Sequence, residues 1–154
     1  MQIEGNTLTE QQITAILENK RVIGPTKDIR EVQNALKVYE NIRVYKFDSV
    51  HSFLEAHQTL MEGLIDHPGA YRKEGVGILK GSKVEHFAPP AKNVQYLMKD
   101  LFAYLKNDEE IILIKSCVFH YEMEFIHPFT DGNGRMGRLW QTIILISQYP
   151  IFQY

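Results

Sequence analysis

Residues 127–138 read HPFTDGNGRMGR, a stretch that combines a candidate base, a candidate metal ligand, a helix start suited to anions and two fixed cations. His127 can accept a proton near neutral pH, because an unperturbed imidazole titrates at about 6.5. Asp131 offers the hard carboxylate oxygens that Mg²⁺ takes alongside substrate phosphates. The stretch therefore indicates a site for phosphate transfer.

The second half of this stretch supplies the positive charge. Gly132, Asn133 and Gly134 open a predicted helix, where unpaired backbone N–H groups and the helix dipole attract anions. Arg135 and Arg138 are three positions apart, so they project from one face of that helix. A guanidinium group is always charged and binds phosphate through two parallel hydrogen bonds. Backbone and side chains are thus both predicted to bind phosphate.

Residues 132–137 also fit G-x-G-x-x-G, a pattern found in dinucleotide-binding and kinase loops. A dinucleotide site needs a hydrophobic strand directly before the glycines, whereas residues 126–131 read IHPFTD. A kinase needs HRD and DFG signatures, and a Walker A loop needs Gly-Lys-Ser/Thr after the glycines; the sequence contains none of these. The glycine match is coincidental.

The motif resembles the signature of Fic domains, HxFx(D/E)GNGRxxR, at every specified position, namely His127, Phe129, Asp131, Gly132, Asn133, Gly134, Arg135 and Arg138. Residues 57–72 (HQTLMEGLIDHPGAYR) are similar to the family's helix and its G-x-Y-R turn. Residues 76–90 are similar to its hairpin, and residues 120–126 to the helix that leads into the motif. The resemblance implies an all-α bundle with a small β-hairpin flap over the active site.

The resemblance also implies a reaction: transfer of AMP from ATP to a Ser, Thr or Tyr hydroxyl of a target protein, with release of pyrophosphate. The implied roles are a general base (His127), an Mg²⁺ ligand (Asp131), an anion hole (Gly132, Asn133, Gly134), a clamp on the β- and γ-phosphates (Arg135, Arg138) and a support for the loop (Pro128, Phe129). Besides a target protein, the chain could modify itself or form a homodimer, and the sequence leaves both open.

The predicted hairpin spans residues 77–87. Its Gly81-Ser82 centre suits a type II′ turn. The resemblance implies that this flap holds the target peptide as an added strand, a β-augmentation. The flap residues expected to dock the target are Ile78, Leu79, Lys83 and Val84.

The N-terminus carries a second resemblance. Glu4-Gly5 matches the end of the family's autoinhibitory motif, Ser/Thr-x-x-x-Glu-Gly/Asn, although the Ser/Thr position would fall before Met1. The implied mechanism is that Glu4 pairs with Arg138 and removes a phosphate-binding cation. We expect residues 1–25 to be an N-terminal segment with this inhibitory helix and residues 26–154 to be the core domain of a longer protein.

Composition excludes several classes of function. The chain has 154 residues, 44% of them hydrophobic and 23% charged, with a net charge of −2, which gives no basic surface for nucleic acid or anionic membranes. No apolar run reaches the roughly 20 residues of a membrane span, and the N-terminus is not a signal peptide. We therefore expect a cytoplasmic protein with access to ATP. The single Cys117, set among apolar residues, is expected to be a buried thiol.

Apolar residues at helical spacing predict the bundle. Thr9 to Gln12 fits a capping box for a first helix with Ile13, Ile16 and Leu17 inward. A second helix starts near residue 27, with Ile29, Val32, Leu36 and Tyr39 at helical spacing. A third is capped by Asp48 or Ser49 and ends at residues 67–69. Two more are expected at residues 93–106 and 110–125, the latter as the most buried helix, and an apolar stretch follows at residues 139–146. Pro128 should interrupt the helix at His127.

Alternative readings stay open. Doc-type relatives phosphorylate, and others transfer other nucleotides; their motifs depart from GNGR, which is intact here. A nucleotide-binding interaction module would have no need of His127. His120 is expected to be a core histidine with a hydrogen bond, and His51, His67 and His86 to be non-catalytic. No HExxH or Cys/His set indicates zinc.

Overall fold

The computed structural model describes residues 5–80, 83–107 and 109–153, with the backbone alone for residues 77–80 and 83–87. In that part of the chain the helices are α1 (Glu10–Leu17), α2 (Thr26–Glu40), α3 (Val50–Met61), α4 (Ala91–Asn107), α5 (Ile112–Ile126) and α6 (Asn133–Ile146). Short 3-10 helices span Ile42–Val44 and Pro150–Gln153, and two strands, β1 (Gly77–Lys80) and β2 (Lys83–Phe87), form a hairpin. The predicted all-α bundle with a hairpin is confirmed. None of the described helices is long and apolar enough to cross a membrane.

The bundle is built around the ring of Phe53 on α3. Its centroid lies 5.4 Å from Phe102 on α4, 6.0 Å from Phe119 on α5 and 5.0 Å from Trp140 on α6. Edge-to-face contacts of this kind add to the burial of large apolar surfaces. The indole N–H of Trp140 donates to the Phe47 carbonyl at 3.0 Å, so the ring is buried without an unsatisfied donor. This cluster fixes α6, and with it the second half of the stretch at residues 127–138.

The N-terminal segment packs on α2 through a smaller apolar cluster of Leu8, Ile16 and Val32. The predicted capping box at Thr9 is confirmed, but Leu17 is 51% exposed, because α1 ends there and only its Ile16 face reaches α2. On α2, Tyr39 is 49% exposed and Val38 takes the core position instead. The expected inward position of Leu17 was therefore wrong, and the buried face of α2 includes Val38 rather than Tyr39.

The start of α3 agrees with the prediction, but its end does not. Ser49 caps it, accepting from the Ser52 N–H at 3.3 Å, as one of the two predicted caps. The helix ends at Met61 rather than at residues 67–69. The side chain of Asn34 on α2 donates to the carbonyls of Leu60 and Glu62, at 3.2 and 2.9 Å. These bonds satisfy backbone acceptors at the C-terminal end of α3.

α5 is not the most buried helix, contrary to the prediction. Its buried positions lie on one side, while the other side exposes apolar residues. α6 has more buried positions than α5 over a shorter length. Cys117 is exposed, so the expected buried thiol was also wrong. The apolar density of α5 gave no periodicity from which to tell its inner from its outer side. The exposed apolar residues are Leu113, Ile114, Tyr121 and Phe125.

The hairpin has an irregular register. Lys80 pairs with Lys83 and Leu79 with Val84, but Ile78 pairs with His86, so the register shifts between Ile78 and Leu79. A bulge of this kind bends and twists a strand pair. Gly81-Ser82 lies outside the described residues, so the type II′ turn stays a prediction. At the base of the hairpin the Ala88 N–H donates to the Val76 carbonyl at 3.3 Å.

Candidate active site

The chain changes direction at His127, where α5 ends. His127 has φ 51° and ψ 63°, in the left-handed region, and its N–H donates to the Met123 carbonyl at 2.9 Å. Pro128 explains the end of the helix, because proline disfavours right-handed helical angles at the preceding residue. A non-glycine residue in this region costs roughly 1–2 kcal/mol, so other contacts must hold it there. The predicted break at His127 is confirmed.

Arg72, which is 3% exposed, makes those contacts. Its Nε donates to the His127 carbonyl at 2.7 Å and its Nη2 to the Ile126 carbonyl at 3.2 Å. Its backbone N–H donates to the Pro128 carbonyl at 2.9 Å. Carbonyls at the end of α5 lack helical partners and carry the negative end of the helix dipole, which suits a buried guanidinium. Arg72 thus fixes three consecutive residues of the turn.

The loop after His127 is closed by Asn133. The side-chain carbonyl of Asn133 accepts from the Phe129 N–H, and its amide donates to the Phe129 carbonyl, both at 2.9 Å. Phe129 is fully buried and stacks on Phe53, with centroids 5.4 Å apart. Phe129 therefore packs beneath the loop, and its role in shaping the motif stays a prediction. Direct binding of phosphate by Asn133 stays a prediction.

His57 supports the same loop from α3. Its ring is fully buried and lies 3.6 Å from the Phe129 ring at an interplanar angle of 4°. Its Nδ1 accepts from the Gly69 N–H at 2.8 Å, so Nε2 carries the proton and donates to the Asp131 carbonyl at 3.0 Å. Burial lowers the pKa of His57 to about 4, despite the opposing effect of the bond to Asp131. His57 is a neutral, structural imidazole at physiological pH.

Gly132 starts α6 with φ 81°, as its N-cap. A Cβ atom there would lie 2.7 Å from the Met61 sulfur, so both the backbone angle and the packing require glycine. Within the described residues no side chain caps the helix that begins at Asn133. Its first N–H groups point out of the helix end, the arrangement in which a helix start binds an anion.

Asp131 lies between His127 and the helix start, with its side chain 53% exposed. The bonds that the described residues make to its carboxylate both fall on Oδ1, from the Gly132 N–H at 2.6 Å and from Arg135 Nη2 at 3.3 Å. That arrangement leaves Oδ2 for a cation. In the described chain no three His, Cys, Asp or Glu side chains cluster as a metal site. A single carboxylate fits Mg²⁺ that takes its other ligands from phosphates and water.

The two arginines of the motif differ in their surroundings. Arg135 is largely buried and forms an ion pair with Glu31 of α2 through Nη1. Glu31 Oε2 in turn accepts from the Asn6 side chain at 2.8 Å. Arg138, one turn further along α6, is exposed. Its charge acts on Tyr39, where it opposes the larger effect of burial that raises the pKa of that phenol. Arg138 is therefore more exposed to solvent than Arg135.

Some predicted residues lie outside this geometry. Glu4 is outside the described residues, as are the side chains of the flap positions Ile78, Leu79, Lys83 and Val84, so their roles stay predictions. His120 is half-buried, and in the described chain its Nδ1 has no hydrogen-bond partner, contrary to expectation. It faces Gly137 of α6, where a Cβ would come within 3.3 Å of its ring.

Sequence reasoning missed the roles of His57, Arg72 and Glu31. His57 is the first residue of the segment 57–72 that resembles the family's helix and turn, and nothing in that segment indicates its contact with Phe129. Arg72 was recognised in the G-x-Y-R turn, but nothing in the turn indicates a reach to a residue 55 positions away. Glu31 is a single acid beside Val32 on an amphipathic helix, a position that usually faces solvent.

Comparison with known proteins identifies the family and the fold. The chain matches the Fic/DOC family over residues 46–145. The Caenorhabditis elegans protein adenylyltransferase fic-1 is 33% identical over 163 aligned residues, which cover 96% of this chain, and the protein adenylyltransferase Fic of Nematostella vectensis is 32% identical over 94% of it. The crystal structure of a Fic family protein from Desulfovibrio desulfuricans G20 is 51% identical and superposes with a TM-score of 0.93, covering 99% of this chain and 47% of that one.

The chain spans only about a third of the curated relatives it matches, 31% of the Caenorhabditis protein and 35% of the Nematostella protein. The part it spans includes the whole motif and the helices that hold it. The family match extends over more than half of the sequence and contains His127, Asp131 and Arg138. The chain therefore belongs to the Fic/DOC family.

Proposed function

We propose that this chain is the catalytic domain of a protein adenylyltransferase, which transfers AMP from ATP to a Ser, Thr or Tyr hydroxyl of a target protein and releases pyrophosphate. The observation that carries the proposal is the fixed turn that joins His127 to the open start of α6, with Asp131 between them. The names of the relatives, which are protein adenylyltransferases, support the same activity.

The reaction is an in-line displacement at the α-phosphorus of ATP. The target hydroxyl oxygen forms the new bond, the bond to the oxygen that bridges the α- and β-phosphorus breaks, and pyrophosphate leaves. His127 accepts the proton of the attacking hydroxyl, a role that contributes typically about 10²–10⁴-fold. Its backbone is held in one conformation by Arg72, which suits a reaction that depends on alignment.

The phosphates need positive charge from several sources. The start of α6, with Gly132, Asn133 and Gly134, provides oriented N–H groups, and the exposed Arg138 provides a cation for the β- or γ-phosphate. Arg135 is held by Glu31 and would reach phosphate with its remaining N–H groups. Asp131 would hold Mg²⁺, which supplies further positive charge for the leaving pyrophosphate.

Target binding is assigned to the hairpin. The strand edges near Ile78 and Val84 would accept an extended peptide through backbone hydrogen bonds. The bulge between Ile78 and Leu79 sets the twist of the edge that such a peptide would meet. A target recognised in this way would present its hydroxyl to His127 from the flap side.

The N-terminal segment is proposed to regulate the site. Glu4 would pair with Arg138 and remove the cation that orients the γ-phosphate. Asn6, two residues later, is buried and bonded to Glu31 and to the Asp28 carbonyl, so this part of the chain is anchored on α2. Residues 1–25 would form the regulatory N-terminal segment and residues 26–154 the core domain. The protein would act in the cytoplasm, where ATP is available. Self-modification and a homodimer stay open.

Intact mass spectrometry after incubation with Mg-ATP tests this function. The Glu4→Gly variant, in which the proposed inhibition is relieved, should gain the mass of one adenylyl group faster than the parent, and Glu4→Gly with Arg138→Ala should not. Gain of one phosphoryl group instead would establish Doc-type transfer, the second candidate. ATP binding with no covalent product, either on the chain itself or on a target protein added to it, would favour a nucleotide-binding module.

A further inference from the structure

We propose that Arg72 is the positioning residue for His127, and that it couples the general base to the flap by binding the end of α5 and both ends of the hairpin at once. This inference rests on the proposed function and extends it to a residue outside the motif.

The guanidinium of Arg72 reaches three segments. Nε and Nη2 bind the carbonyls of His127 and Ile126 at the end of α5. Nη1 binds the Glu74 carbonyl at 2.7 Å, just before the hairpin begins. Nη2 also binds the Pro89 carbonyl at 2.6 Å, just after the hairpin ends. Because guanidinium is planar with donors in fixed directions, these bonds set the three segments relative to one another.

The bond to His127 acts on the residue whose orientation matters. The carbonyl that Arg72 binds belongs to His127 itself, which has the unfavourable left-handed conformation. Changing ψ at this residue to relieve the strain would move its carbonyl away from Nε. The backbone angles of His127 restrict the rotamers that its side chain can adopt, so holding the carbonyl limits the directions open to the imidazole.

A purely structural role would explain less of the geometry. The donor groups of Arg72 go to backbone carbonyls, and in the described chain none of its hydrogen bonds goes to a carboxylate. A buried cation without an acid is costly, although the helix end compensates in part. The same four carbonyls could be left to water or to a neutral donor if only packing mattered. The arrangement instead joins the base to the element proposed to carry the target hydroxyl.

The test uses Arg72→Lys, which keeps the charge but loses the planar donor set. Lys115→Met is the matched control: Lys115 is a buried cation that donates to the Leu105 carbonyl at 2.9 Å, outside the site. Three quantities are measured for both variants and the parent: thermal stability, ATP affinity and the single-turnover rate of adenylyl transfer per folded molecule. The side-chain NMR signals of His127 and of the exposed His51 are recorded in parallel.

We expect Arg72→Lys to fold, to bind ATP within about threefold of the parent, and to transfer AMP roughly 10²-fold more slowly, as for a misplaced catalytic group. The His127 signal should move and the His51 signal should not. Lys115→Met should lose stability but keep its rate per folded molecule and its His127 signal.

An unchanged His127 signal in Arg72→Lys overturns the proposal, whether or not the parent transfers AMP. A rate per folded molecule equal to the parent's also overturns it, since the base would then be aligned without Arg72. If the parent transfers no AMP, the proposed function fails separately, and the NMR comparison still decides whether Arg72 positions His127.

Discussion

Glu31 and Arg135 lie 104 residues apart in the sequence and form an ion pair that joins α2 to the start of α6. Their side chains are only 10% and 15% exposed. Glu31 also binds Asn6, and Arg135 also reaches Asp131 at 3.3 Å. One chain of contacts therefore runs from the N-terminal segment to the candidate metal ligand.

The first prediction concerns that pair. Glu31→Ala leaves the largely buried Arg135 with the longer contact to Asp131 as its remaining ion pair among the described residues, and should lower the free energy of unfolding by roughly 3 kcal/mol. Adding Arg135→Ala should cost much less than Arg135→Ala does alone, because the partner is already absent. Urea unfolding of the four proteins measures the coupling. The exposed pair of Lys37 and Glu62 is the control and should show little coupling. Additive effects at Glu31 and Arg135 would contradict the pairing.

The second prediction concerns pH. Burial depresses the pKa of His57 to about 4, with Arg135 adding to that effect and Asp131 opposing it. In the unfolded chain the imidazole has its ordinary pKa near 6.5, so between these values the unfolded state binds more protons. The contribution of His57 to the free energy of unfolding should thus be fully present above pH 6.5. It should decrease as the pH drops toward 4, by at most about 1.4 kcal/mol per pH unit.

Chemical denaturation across this pH range, with a chelator present, measures the slope. His57→Gln should reduce the slope, whereas His51→Gln, at an exposed position, should leave it unchanged. A parent slope equal to that of His57→Gln would show that His57 does not carry the effect.

The third prediction concerns the start of α6. Gly132→Ala introduces a Cβ that would lie 2.7 Å from the Met61 sulfur, at a φ of 81°. We expect a loss of roughly 1–2 kcal/mol in stability from the backbone angle, with a further loss of ATP affinity as the helix start shifts. Gly75→Ala is the control, because nothing lies within 4 Å of its Cβ position. Calorimetric titration with ATP measures the affinity; equal affinities for the two variants would mean that the helix start does not bind the nucleotide.

The fourth prediction concerns the flap. Proline at Ile78 or Val84 removes a backbone donor and disturbs the strand that a docked peptide would pair with. Modification of a target protein should fall by a larger factor than the affinity for ATP. Measuring both for the same variants separates the two roles. Equal losses would assign the hairpin to nucleotide binding.

The parts of this site that lie within one short stretch were predictable from sequence. Pro128 predicts that the helix ends at His127, and Gly132, Asn133 and Gly134 predict that a new helix starts after Asp131. The supports were not predictable, because His57, Arg72 and Glu31 come from distant segments and bind mainly through backbone carbonyls or one buried pair. The side of α5 that faces the core could not be predicted either, because apolar residues occupy both sides.

The central claim, that His127 is the base of an adenylyl transfer, is tested most directly by the single-turnover rate for His127→Ala at saturating Mg-ATP, compared with the parent by intact mass. The account predicts that transfer is abolished while ATP affinity stays close to that of the parent, because the phosphates are bound by the start of α6 and by Arg138. Transfer at a near-parental rate in His127→Ala would contradict it.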